Sequence, residues 1–308
     1  MIWREFKAMG TDIVITANLE AGQEEILAKA ENKIRDFEQK FSRFIETSEL
    51  SQFNNSLATQ ETVSPMLASL LSEAKNYYLE TAGIFDPTII GSLEAAGYDR
   101  SFNQIIKGQA LRSDRSFATR PKMTELEIAG RIINRPSEFR VDLGGLGKGY
   151  IIDYLTKNLF SSVHNYWISA GGDIIAAGHQ ENSAGWNIGV QNPHRPEKNI
   201  FSIKTGGQKL GIATSGIIKR YWGKDGHVLH HLIDPRHGRP VKNNILSVTA
   251  ISSSALRADI FAKTILILGV EQGLNFIEQK KDSAAIIFTN DKNPIFSRQA
   301  PKFLNTYE

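Results

Sequence analysis

Cysteine is missing from this 308-residue chain, which excludes disulfides, cysteine-held zinc and thiol catalysis. Long apolar runs are missing too: none approaches the ~20 residues needed to span a bilayer. Neither charge dominates, with 36 Lys and Arg against 33 Asp and Glu. A net charge of +3 gives little support for nucleic-acid binding, which needs a clustered basic face. The opening residues Met1-Ile2-Trp3-Arg4-Glu5-Phe6-Lys7 are charged and amphipathic, unlike a secretory leader, so a cytoplasmic protein is expected unless a leader has been trimmed. The 41% hydrophobic and 22% charged content is ordinary for a globular protein, and the length suits one large domain or two modest ones.

Residues 11–17 read as a strand. Ile26, Leu27, Ala30, Ile34, Phe37 and Phe41 follow at helical spacing. A second helix is better marked: Ser64 can cap it, Pro65 fits its first turn, Leu67, Leu70, Leu71, Ala74 and Tyr78 form a stripe, and Gly83 can end it. Residues 99–125 are polar and read as a surface excursion. From residue 131 short β-rich runs dominate, at 131–134, 166–169, 174–177, 186–190, 201–204, 210–214 and 247–251, separated by glycine or proline turns. Helices over 257–268 and around Leu274 precede a last strand at 284–288. Strands and helices mix without regular βαβ alternation, which predicts an α+β fold. No linker, repeat or low-complexity tract cuts the chain, so a single domain over 1–308 is expected.

The most informative segment is Asp142-Leu143-Gly144-Gly145-Leu146-Gly147-Lys148-Gly149, followed by an apolar, helix-compatible run. Glycines let the backbone approach a bulky ligand, a helix start offers free N–H groups to phosphate, and Lys148 adds a mobile charge. The segment fits neither the Walker A loop nor the dinucleotide fingerprint. It reads as a diphosphate cradle or as a plain strand-to-helix turn. In Phe85-Asp86-Pro87-Thr88 the proline holds Asp86 extended, either to meet a heterocycle or to organise its own turn. Ser169-Ala170-Gly171-Gly172-Asp173 is a ligand loop or a hairpin turn. His227, His230, His231 and His237 surround Asp234-Pro235, yet match no standard zinc spacing; a proton carrier or ligand contact, His231 foremost, suits them better. Asp259 and Lys263 share one face of an otherwise apolar helix. They form a surface ion pair, or Asp259 serves as a metal ligand or base.

In this order the segments resemble the FAD:protein FMN transferase (ApbE) family. The likeness runs from Met9-Gly10-Thr11 to Gly269. It includes Ser42-Arg43-Phe44, Ser48-Glu49-Leu50-Ser51 with Asn54, Ala213-Thr214-Ser215-Gly216, His231-x-x-Asp234-Pro235-x-x-Gly238 and Ala258-Asp259. The resemblance implies a single α+β domain of strand–helix repeats that binds FAD and Mg2+. Such a protein cleaves the FAD pyrophosphate, releases AMP and attaches FMN through a phosphoester to a threonine or serine of an acceptor protein. Some members instead hydrolyse FAD to FMN and AMP, and a non-catalytic flavin-binding protein is a third reading.

By the same resemblance, Met9 and Phe44 match apolar flavin-nucleotide contacts. Ile84, Phe85 and Asp86 match a loop lining the adenosine or flavin. Asp142 and Lys148 match polar ligand contacts, and Ile233 a backbone contact. Gly145 matches a carbonyl metal ligand and Asp259 the metal-binding carboxylate. Asp259 or His231 is expected to take the proton of the incoming hydroxyl. One departure stands out. The family often has threonine four residues after the metal-binding Asp, where this chain has Lys263, and Thr264 lies about 100° further round the helix. An ammonium ~4 Å from a dication is repelled by about 8 kcal/mol at an effective dielectric near 20. Lys263 must therefore turn away, lose its proton or replace the metal's charge.

Overall fold

The computed structural model describes residues 1–100, 104–105, 121–217, 221–222, 229–230 and 232–306. Most of the 99–125 excursion lies outside these residues, as does His231. The chain divides into two compact units: residues 1–35, 148–218 and 243–308 form the first, residues 36–147 and 219–242 the second.

The first unit is built on an eight-stranded sheet. Its strands are β1 (Ile2–Ala8), β2 (Thr11–Ala17), β3 (Tyr166–Ala170), β4 (Asp173–Gly178), β5 (Gly207–Gly216), β6 (Ile245–Ser252), β7 (Ala284–Thr289) and β8 (Ile295–Phe296). Each lies beside the next in that order, and every pair is antiparallel. The sequence of the second unit is thus inserted twice into this meander, between β2 and β3 and between β5 and β6. Helices α1 (Glu25–Phe41), α2 (Gly147–Asn158), α3 (Ala255–Leu268) and α4 (Val270–Glu278) complete the set used below. With separate antiparallel sheets and helices, the fold is α+β, as the sequence predicts.

Strand β7 is buried at every position, so both faces of the sheet are covered there. Strand alternation puts Ala284, Ile286 and Phe288 on one face. There they share a core with Trp186, Phe201 and Ile203, residues of or beside a three-stranded sheet of Asn187–Asn192, Arg195–Lys204 and Leu304–Thr306. Helix α3 packs across β5 and β6, and α4 against β7. Helix α3 is apolar nearly all round and correspondingly buried. Ser254 caps it, accepting from the Arg257 N–H at 3.2 Å.

In the second unit, helix Pro65–Glu80 is capped by Ser64 with Pro65 in its first turn, as expected. Its buried stripe passes through Tyr77 rather than Tyr78, because the three-residue step from Ala74 falls on the same side of the helix as the four-residue step. Gly83, at φ +80°, ends it, its N–H donating to the Tyr78 carbonyl at 2.7 Å. Strand 284–288 is not the last, since Ile295–Phe296 and Leu304–Thr306 follow. Among the described residues no helix is long and apolar enough to cross a membrane.

Candidate functional site

In the first unit, Lys148 and Gly149 lie in the first turn of α2, and this glycine has a packing reason. A Cβ on Gly149 would lie 2.5 Å from the Leu256 Cα, so the starts of α2 and α3 meet backbone to backbone. One turn further along α2, the Asp153 carboxylate accepts from the N–H groups of Ala255 at 3.0 Å and Leu256 at 2.9 Å. It thereby satisfies donors that a helix start leaves open. Burial pushes the Asp153 carboxyl above its ordinary range, with the Leu256 and Ala255 N–H groups pulling the other way. From the strand side, a Cβ on Gly211 would lie 2.0 Å from the Ser254 carbonyl carbon. The first turn of α3 is therefore fixed from two directions, and Asp259 stands in the next turn.

Four charged groups form one electrostatic cluster in this unit. The Lys148 ammonium donates to Asp173 and the Lys263 ammonium donates to Asp259. Both carboxylates are 2% exposed, and the Lys263 side chain is 14% exposed, so the surface-pair reading of Asp259 and Lys263 gives way to a buried pair. Asp173 opens β4 directly after the Gly171-Gly172 turn, opposite Ala170. Both glycines take positive φ, at 63° and 97°, the geometry of a tight hairpin. Burial first, then the Asp259 charge, push the Asp173 carboxyl above its ordinary range, while Lys148 and Lys263 oppose the shift. Among the described residues, Asp259 Oδ2 has no hydrogen-bond partner. Thr264 is fully buried, and its hydroxyl turns back to the Ile260 carbonyl at 2.8 Å. Met9, at φ +55° beside Gly10, forms the turn between β1 and β2.

The second unit holds the other assigned residues. Asn54 uses both ends of its side-chain amide on Val141, donating to the carbonyl and accepting from the N–H at 2.9 Å each. This fixes the residue before Asp142. The Asp142 N–H donates to the Pro87 carbonyl at 2.8 Å, tying the Asp142 loop to the Phe85-Asp86-Pro87-Thr88 segment. The Asp142 carboxylate accepts from Arg43 Nε at 2.7 Å, with both side chains under a tenth exposed, and from the Gly144 N–H. Arg43 also donates to the Tyr98 carbonyl at 2.6 Å and lies over the Phe44 ring, 4.3 Å from its centroid. Phe44 and Tyr98 meet edge to face, and Phe44 stays 37% exposed, an aromatic surface suited to stacking.

Asp86 accepts from the Thr88 N–H and hydroxyl at 2.8 and 2.7 Å, so it does organise its own turn. Ile84 and Phe85 are buried, and the Phe85 ring lies against Gly145. Ile233 is 1% exposed and packs with Leu93 and Ala96, which leaves only its backbone for a ligand. Asp234 is held by Arg236 at 2.6 Å and His237 at 3.2 Å. Burial would raise its carboxyl, but the Arg236 hydrogen bonds outweigh that and keep it low. Sequence reasoning singled out the segments containing Arg43 and Asp173 without assigning either side chain a role. Asp153, at the end of the stretch that follows the glycines, was likewise given no role, because nothing local signals the helix it caps 102 residues later.

Residues 9–288 match the ApbE family. A Vibrio cholerae protein described as FAD:protein FMN transferase is 27% identical over 264 residues, 84% of this chain and 78% of the relative. A Haemophilus influenzae protein of the same description is 27% identical over 301 residues, 92% of this chain and 86% of the relative. The crystal structure of the ApbE protein from Thermotoga maritima shares the fold, with a TM-score of 0.86 over 98% of both chains at 23% identity.

Proposed function

The chain belongs to the ApbE family, and on that premise we propose that it is an FAD:protein FMN transferase. The carrying observation is the family match over residues 9–288, which takes in the Lys148 helix start, the Asp173 hairpin and the Asp259 helix. The match runs through both units, which supports reading 1–308 as one flavin-transferase domain. FAD is the substrate and a protein the acceptor. A threonine or serine hydroxyl of that acceptor attacks the FMN-side phosphorus. The bond from that phosphorus to the bridging oxygen breaks, and AMP leaves with the oxygen. Lys148, at a helix start, offsets charge developing on the diphosphate. Asp259 Oδ2, a buried lone pair without a protein partner among the described residues, takes the hydroxyl proton; His231 is the alternative base. We assign Met9, Phe44, Ile84, Phe85, Asp86, Asp142 and the Ile233 backbone to nucleotide contacts.

Magnesium at Asp259 would add charge stabilisation to this chemistry. The charged residues of the first unit do not suit it. Two carboxylates are already matched by two ammonium groups, and among the described residues no three His, Asp or Glu side chains converge as a ligand set. Magnesium binds through oxygen donors, and here one oxygen of Asp259 and one of Asp173 are taken by lysines.

The deciding experiment incubates purified protein with FAD, with and without a threonine-bearing acceptor protein, and follows AMP together with flavin fluorescence on the acceptor. Transfer predicts AMP only with acceptor, and a fluorescent acceptor band. AMP without acceptor means hydrolysis, and binding without AMP means a flavin-binding protein. Tighter binding of FAD than FMN is expected, because FMN lacks the adenosine half.

A further inference from the structure

We infer that the Lys263 ammonium supplies positive charge at the substrate diphosphate in place of a divalent cation, so that this protein binds FAD without magnesium. The inference rests on the flavin-transferase reading and specifies the cation of that site.

Three observations carry it. Lys263 stands one turn after Asp259 on the buried helix α3, and its long side chain does not run out to water. It folds back to donate to Asp259 and remains 14% exposed. A solvated lysine would keep its strongly hydrated head outside. Second, the cluster is balanced without a metal: Lys148 with Asp173, Lys263 with Asp259. A dication added there would meet two ammonium groups in a buried setting, where charges are weakly screened. Third, the positive charges that balance the two carboxylates are mobile. The lysines can exchange their carboxylate partners for phosphate oxygens, and both are point charges on flexible stems suited to that exchange. When Lys263 turns to the diphosphate, Asp259 Oδ1 is uncovered beside the already unpartnered Oδ2. Substrate binding thereby readies the carboxylate that receives the hydroxyl proton.

The test measures FAD affinity from flavin fluorescence, in EDTA and in saturating magnesium chloride, for wild type, Lys263→Met, Lys263→Thr and Lys263→Arg. The wild-type Kd should differ by less than about threefold between the two conditions. Lys263→Met should lose at least about tenfold in EDTA. Lys263→Thr should lose as much in EDTA and regain it with magnesium, and Lys263→Arg should still bind in EDTA. Wild-type affinity that collapses in EDTA and returns with magnesium would overturn the inference, as would Lys263→Met binding like wild type in EDTA. The wild-type arm can overturn the inference even if the uncharged variants misfold. Transfer to acceptor is scored separately, so a failed transferase reading shows as absent AMP while the metal response of FAD binding stays readable.

Discussion

Asp153 accepts a hydrogen bond from the Leu256 N–H at 2.9 Å, so a carboxylate on α2 caps the helix that carries Asp259. Helix α2 also carries Lys148, and the cap joins the Lys148 and Asp259 halves of the charged cluster. Asp153→Ala leaves two N–H groups open at the start of α3. It should destabilise the protein by about 1–2 kcal/mol, read as a lower denaturant midpoint. It should also weaken FAD binding by shifting the two helices. Unchanged stability would show that the cap contributes nothing.

The same carboxyl makes a signed prediction for pH. Burial raises Asp153 above its ordinary value of 3.8. A raised folded-state value means that its stabilisation is complete below the unfolded value and is lost as pH rises through the folded one. Asp153→Asn has no such titration. The stability of wild type relative to this variant should therefore shrink as pH rises from below the ordinary carboxylate value toward neutral. Paired urea titrations at the two ends check it, and a difference that grows with pH contradicts the shift.

Gly149→Ala puts a methyl group where the Leu256 Cα is only 2.5 Å away. The helices must separate, at a cost of about 1–3 kcal/mol, and Lys148 moves with the first turn of α2. A drop in melting temperature together with weaker FAD binding is expected. Near-native values for both would mean that the helices slide apart without consequence.

In the second unit, the buried pair of Arg43 and Asp142 predicts non-additivity. Arg43→Met leaves Asp142 buried without its cation and should cost about 3 kcal/mol or more. The double variant Arg43→Met/Asp142→Asn should be less harmful than Arg43→Met alone. Arg43→Lys should not rescue, because one ammonium cannot serve Asp142 and the Tyr98 carbonyl while covering the Phe44 ring. Simple addition of the two single effects would dissolve the pairing argument.

Asp259→Asn should abolish AMP release while FAD affinity stays within about tenfold, about 1.4 kcal/mol. Rapid-quench AMP measurement beside fluorescence titration separates the two. Normal turnover would remove Asp259 from the reaction.

Elements were legible in the sequence where burial was periodic. Ile34, Phe37 and Phe41 mark α1 because that face is buried, and Ser64-Pro65 marks a helix start by chemistry alone. The strand read at 201–204 begins instead at Arg195, because its first five residues are exposed and four of them polar, and only its buried end looks like a strand. Strand β1 was hidden likewise: its outer residues Ile2 to Glu5 are exposed, and Arg4, Glu5 and Lys7 mask any alternation. Helix Glu49–Asn55 is too short, at seven residues, to show a period. The charged segments of the site could be picked out individually, but their partners could not. Arg43 and Asp142 are 99 residues apart, Lys148 and Asp173 are 25 apart, and no local pattern specifies such pairs.

Gly149 and Gly211 press on the first turn of α3 from a helix and from a strand, and this has a hereditary consequence. Any single-base change that replaces glycine with another amino acid adds at least a Cβ, and at both positions that carbon would fall on main-chain atoms. The two codons therefore have no neighbouring missense change that spares the helix start. In a saturation library selected for flavin transfer, positions 149 and 211 should come back as glycine alone, while Gly10, whose added Cβ meets nothing within 4 Å, should return asparagine and aspartate as well.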